Sequence, residues 1–150
     1  MAGIRRIGGG FELDNVATRF EVFKRTAPRV IAEQSKNHFL EGFRKGGGQT
    51  NDSKSGWQAR KGNKDPGRAV LIGPGTGHLW RDITVLKATW QSIIIGNTTR
   101  IPYADRHNEG ITDKLGRAMP KREFIGDSDE LDKKNKTLIT RLIMRVFRGV

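Results

Sequence analysis

The chain has no cysteine, and that single absence removes disulfides, thiolate metal sites and cysteine nucleophiles together. It also lacks any long hydrophobic run, since no stretch approaches the ~18 apolar residues of a membrane span. Near the N-terminus Arg5 and Arg6 are not followed by the apolar segment of a secretory signal, so the expectation is a chain made and used in the cytoplasm. Aromatic residues are sparse at 7%, and hydrophobic residues of all kinds make up 35% of 150, which predicts a small core. Acidic residues are the minority charge. There are 16 Asp and Glu against 28 Lys and Arg, a formal net charge of +12. Such a balance favours an anionic partner, whether nucleic acid, an acidic protein surface or a membrane face. The cations are dispersed, with no block of five or six, which suits a general field around a polyanion better than a sequence-reading element.

Glycine is what the chain has in quantity, 19 residues, and it punctuates the sequence. Residues 1–10 read as a flexible arm hinged at Gly8-Gly9-Gly10, and residues 11–150 as one domain. Leu13, Val16, Phe20 and Phe23 recur at spacings of three and four, the stripe of an amphipathic helix. Pro28 interrupts that pattern, and Thr26 as N-cap with Pro28 in the first turn would begin a second helix. Val30, Ile31, His38, Phe39 and Phe43 carry the apolar face to about Arg44. The expectation is one kinked helix, or two in sequence, over residues 12–44. Gly46-Gly47-Gly48 then stops it.

Residues 46–68 form a long Gly/Lys-rich loop with almost no apolar residue but Trp57. Loops of this length in a compact domain are usually functional or ordered on binding. Trp57 has two uses open to it, an anchor that pins the loop to the body or a contact with a partner. With Lys54, Arg60, Lys61 and Lys64 around it, it makes up the candidate surface for a partner or a DNA channel.

Ile83 to Leu86 and Trp90 to Ile95 have the β-branched and aromatic composition of strands, with Lys87 to Thr89 as the hairpin turn. Ile101 to Gly110 reads as a short helical turn, and Ala118 to Gly126 as an extended segment returning to the sheet. Asp127 with Glu130 is a plausible N-cap pair for the last helix. Along that helix Leu131, Leu138, Leu142 and Val146, with Ile139, Ile143 and Phe147, make a wide apolar face. Leu142, Ile143, Val146 and Phe147 are expected in the core, with packing on a neighbouring subunit as the alternative. The class is α+β: an N-terminal helical region and a C-terminal helix packed on a small, mainly antiparallel sheet.

One stretch looks like chemistry. "AVLIGPGTGHLW", Ala69 to Trp80, runs from an apolar segment into glycines as a strand feeds a phosphate loop. That loop needs G-x-x-x-x-G-K-[ST]. Here Gly73 to Gly77 is one residue short, His78 stands in place of the lysine, and Leu79 in place of the hydroxyl. His38, His78 and His107 lie in separate elements, and none has an i, i+4 partner for zinc. Asp105, His107 and Glu109 alternate, so on a helix they point to different sides. No nucleophile-elbow, zinc-protease or calcium-loop pattern occurs. The expectation is a protein that is not an enzyme, with no cofactor and no metal.

Several segments, taken in order, carry a resemblance. A helix ends in an aromatic, Phe43, before a loop with Gly56-Trp57. "VLIGPGTGHLWRDI" follows, with Leu71, Thr76, Gly77, Leu79 and Ile83 at matching places. A strand ends in Ile95-Gly96, "YADRHNEG" spans Tyr103 to Gly110, and "PKREFIGDS" spans Pro120 to Ser128. In this order and spacing the chain, from about Asn37 to Ser128, resembles the phage virion morphogenesis proteins, the tail-completion and head–tail joining (neck) proteins of tailed bacteriophages. Two departures are visible: the richness of the 46–68 loop in Gly and Lys, and Glu123 where the family commonly has proline before its final Phe.

The resemblance implies a ring of sixfold or twelvefold symmetry at the head–tail junction, in the virion once assembly in the host cytoplasm is complete. Its partners would be other copies of itself, the portal and adaptor proteins of the head, the tail terminator or tail tube proteins, and genomic DNA held non-specifically in the channel. Thr76, Gly77, Leu79, Tyr103, Ala104, His107, Gly110, Pro120, Arg122, Phe124 and Gly126 are implied to shape the fold. A tail terminator is the alternative within that class. A basic nucleic-acid-binding module is the alternative outside it, although no RNP-like strand, zinc-finger spacing or helix-turn-helix is recognisable.

Overall fold

The computed structural model describes residues 13–59, 62, 70–72, 77–98 and 101–148, and over these the chain is α+β, as expected. The arm at residues 1–10 and residues 60, 61 and 63–68 of the long loop lie outside the described residues.

Helix α1, Leu13–Lys45, runs unbroken through Pro28. The expected second helix start at Thr26 does not form. Thr26 is helical, and its hydroxyl donates to the carbonyl of Val22 at 2.9 Å. Pro28 supplies no N–H and so removes one helical hydrogen bond. It is nevertheless buried, next to Ala27 at 1% exposure, so packing on both sides holds the helix through the lost bond.

Two elements flank α1: helix α4, Asp129–Arg148, and an antiparallel hairpin of β1, Ile83–Ala88, and β2, Ile93–Asn97. Ile83 pairs with Asn97 and Ala88 with Ile93, and Leu86 is the extra residue of a bulge between Val85 and Lys87. The hairpin turn lies at Thr89–Ser92, later than expected, so Trp90 belongs to the turn and not to the strand. Thr89 closes it by donating from its backbone N–H to the Ser92 carbonyl at 2.8 Å, and its hydroxyl accepts from the Ser92 N–H at 3.1 Å. From that tip the Trp90 ring meets Phe20 and Phe23 of α1 edge-on.

Helix α2, His78–Arg81, is one turn leading into β1, and α3, Ala104–Glu109, ends at Gly110 as expected. The segment after it differs from the expectation. Ala118 and Met119 form strand β4, which pairs only with β3, Ile111–Thr112, in a separate two-stranded ribbon. Residues beyond Pro120 do not return to the β1–β2 sheet but bond to α3. The N-cap of α4 also moves by one residue. Ser128, not Asp127, accepts the N–H of Leu131 on its hydroxyl at 3.2 Å and that of Asp132 on its carbonyl at 3.0 Å.

The apolar residues gather in two clusters. Phe43, Trp57, Leu79, Ile83, Ala104 and Phe124 form the larger, at the C-terminal end of α1. Phe23, Ala27 and Val146, with Val16, Ile31 and Leu142 against them, join α1 to α4. The expectation that four residues at the end of α4 are core holds only for Val146 and the half-buried Leu142. Ile143 lines an open groove with Phe23 and Ile31 and stays 36% exposed, and Phe147 is 52% exposed.

Candidate functional site

The sequence-predicted contact surface centres on Trp57, and the local backbone explains where that residue goes. After Lys45 the chain reverses at three glycines with positive φ, at 76°, 106° and 89°. The Gly47 N–H donates to the Gly42 carbonyl at 2.8 Å, and the Trp57 N–H donates to the Gly46 carbonyl at 2.6 Å. A Cβ on Gly47 would lie 2.8 Å from both the backbone nitrogen and Cδ1 of Trp57. The turn and the tryptophan therefore fit only because residue 47 has no side chain.

Folded back in this way, Trp57 lands in the core. Its ring lies edge-on to Phe43 with centroids 5.3 Å apart, and its indole N–H donates to the Glu123 carbonyl at 2.9 Å. This corrects the expectation of Trp57 as a contact residue: at 9% exposure it is an anchor inside the fold. Burying the large ring stabilises the fold, and the Glu123 carbonyl satisfies its one polar atom. Among the other predicted contacts Lys54 is exposed, 3.8 Å from an Asp129 carboxylate oxygen. Arg60, Lys61 and Lys64 lie outside the described residues. The first half of the loop is no open tether either. Thr50 is 1% exposed and shares a reciprocal cap with Ser53, and Asn51 bonds to Asp127 and Asp129 at the start of α4.

Four of the residues implied by the resemblance, Leu79, Ala104, Arg122 and Phe124, gather at this anchor. Gly77, with φ 51°, is the N-cap of α2, and Leu79 behind it is 2% exposed. Ala104 and Phe124 are buried in the same cluster. Arg122 is also buried, at 8% exposure. Its Nε donates to the Gln58 carbonyl at 3.0 Å and its Nη2 to the Ala59 carbonyl at 3.5 Å, so it clamps the chain that follows Trp57. The backbone N–H of Arg122 donates to the His107 carbonyl at 2.9 Å. Gly110, with φ 72°, lets Lys121 approach, since a Cβ there would lie 2.8 Å from the Lys121 nitrogen. Gly126 stands against the Glu123 carboxylate in the same way. Tyr103 is 41% exposed, with its ring edge-on to that of His107. Pro120 is half-buried at the end of β4, and Thr76 lies outside the described residues.

Asn108 is a residue to which sequence reasoning gave no role. Its Oδ1 accepts the N–H groups of Phe124 at 2.9 Å and Ile125 at 3.1 Å, while its Nδ2 donates to the Ile125 carbonyl at 3.0 Å. One side chain thus replaces a strand partner for the 124–125 backbone. Its place inside "YADRHNEG" was the only available signal. A second missed group is buried His38, whose Nε2 lies 2.9 Å from the Gln49 carbonyl and 3.1 Å from Ser128 Oγ, joining α1, the loop and α4.

The electrostatics here serve folding. Burial, and then the Arg122 charge, hold the His107 imidazole below its usual range, and its Nδ1 has no hydrogen-bond partner among the described residues. Hydrogen bonding to Lys121 lowers the Asp52 carboxyl and raises Lys121 in return. No group of three or more His, Asp or Glu among the described residues could hold a metal ion. No helix among them is long and apolar enough to cross a membrane. Comparison with protein-family models, with curated proteins and with solved structures gives no match.

Proposed function

We propose that the chain is a structural virion protein of a tailed bacteriophage, forming a ring at the head–tail junction that joins the DNA-filled head to the tail. One observation carries this reading. All six residues of the larger core cluster, Phe43, Trp57, Leu79, Ile83, Ala104 and Phe124, belong to the segments that resemble the virion morphogenesis proteins. Segments scattered over about eighty residues of sequence meet in one place.

The surface supports an assembly role. Leu13, Trp90 and Phe147, around the N-terminal half of α1, expose between 51% and 71% of their surface. Exposed apolar groups of this kind suit contacts between subunits, and a closed ring requires such contacts to be head-to-tail. Its neighbours in the particle would be the portal or adaptor above and the tail terminator or tube below. Immunogold labelling of purified virions tests the placement. Label at the junction between head and tail is the expected result, and label elsewhere, or none, contradicts it.

A further inference from the structure

Charge on α4 is distributed unevenly. Its first turn holds Asp129, Glu130 and Asp132, and from Lys133 to Arg148 there are six cations and no carboxylate. Arg141, Arg145 and Arg148 recur at spacings that place them on one flank of the helix, a row of about 10 Å at 1.5 Å rise per residue, with Lys134 further along the same flank. Two shallow grooves follow this flank, along the seam between α1 and α4. One, of about 420 Å³, is lined by Arg19 and Arg145 with no carboxylate, and the next, of about 350 Å³, by Lys133, Lys134 and Arg141. Glu130 also lines the second, but it is bridged to Lys134 at 2.6 Å. On α1, Glu33 is bridged to Lys36, and Glu41, which feels the Lys134 charge, is bridged to Lys45 at 2.8 Å. Arg19, Lys133, Arg141, Arg145 and Arg148 have no carboxylate partner among the described residues.

Bringing Arg19 and Arg145 to one groove without an acid is unfavourable for the isolated chain. The Arg19 guanidinium is held there by a 3.4 Å bond to the Val146 carbonyl, near the negative end of the helix dipole. We infer that the seam is a docking surface for the phosphate backbone of nucleic acid, contacted without regard to base sequence. A straight row of like charge matches a polymer that presents one charge per ~1.7 Å of duplex, whereas a folded acidic protein intersperses its carboxylates with other groups. Arginine also offers a planar fork suited to phosphate oxygens. The inference rests on the head–tail joining reading only for the source of the nucleic acid, the genome in the channel.

The test uses the purified full chain, a random-sequence DNA duplex and polyglutamate as probes, with binding followed by fluorescence anisotropy across salt. Five phosphate contacts give a log–log salt slope of about −4.5, a loss of about 500-fold in affinity between 50 and 200 mM salt. Combining Arg141→Ala, Arg145→Ala and Arg148→Ala is expected to bring the slope to about −1.8 and that loss to about 12-fold. The double variant Lys87→Ala/Lys114→Ala, on exposed sites elsewhere, is expected to bind as the parent does. Unchanged circular dichroism and thermal midpoint in the triple variant are expected, because all three arginines are exposed. An unchanged slope in the triple variant overturns the proposal. So does polyglutamate binding as tightly as DNA through the same arginines, which would assign the seam to an acidic protein. Failure here leaves the joining role standing, whereas DNA binding through the seam by a protein absent from virions would leave the seam standing alone.

Discussion

Asn108 does the most work of any single side chain near the anchor, because three hydrogen bonds to the 124–125 backbone depend on it. Asn108→Ala leaves two N–H groups and a carbonyl in a partly buried place without partners. The expected cost is about 2 kcal/mol, measured by urea denaturation. Its neighbour His107 sets a pH dependence. The folded-state pKa is lowered by burial and Arg122, so the unfolded chain takes up the proton first. The His107 contribution is therefore fully present above about pH 6.5, the ordinary imidazole value, and is lost as pH falls below it. Thermal unfolding between about pH 7.5 and about pH 5.5 is expected to show a decline that is smaller in His107→Gln. Asp52 and Glu130 act at lower pH: each is held below the usual carboxylate range, so their contributions fade only under acid.

At the scale of elements, the turn after α1 decides where the loop goes. Gly46 and Gly47 both have positive φ, but a Cβ at Gly46 meets nothing within 4 Å, whereas at Gly47 it meets Trp57 at 2.8 Å. Gly46→Ala is expected to cost about 1 kcal/mol from backbone strain alone, and Gly47→Ala about 3 kcal/mol, by thermal or urea unfolding. Equal costs would mean that Trp57 does not depend on this turn. The elements differ in how far the sequence revealed them. Helix α4 and the run from Leu13 were legible because their apolar spacing is local, and Gly110 ended α3 as a glycine does. The continuity of α1 through Pro28 was not legible, because it depends on partners distant in sequence. The place of Trp90 was hidden for the same reason: its composition is that of a strand, but Phe20 and Phe23 hold it at a turn. For the candidate site, sequence supplied the residues of the anchor but not the side on which Trp57 would face. The sequence left both an anchor and a partner contact open, and the hydrogen bond that holds the indole inside comes from Glu123, sixty-six positions away.

At the scale of the whole molecule, small core, high charge and exposed apolar groups belong together. A chain with +12 net charge repels its own copies, and Leu13, Trp90 and Phe147 remain uncovered in the single chain. The charge keeps isolated copies apart, and the exposed apolar groups are unfavourable in water. In the proposed ring, neighbours would cover the apolar groups, and DNA would offset the repulsion between copies. These features meet in the joining role, which electron microscopy of particles from a phage lacking this gene would decide. DNA-filled heads and finished tails lying apart are the predicted result. Tails of uncontrolled length would make the protein a tail terminator instead, and normally joined particles would contradict the account.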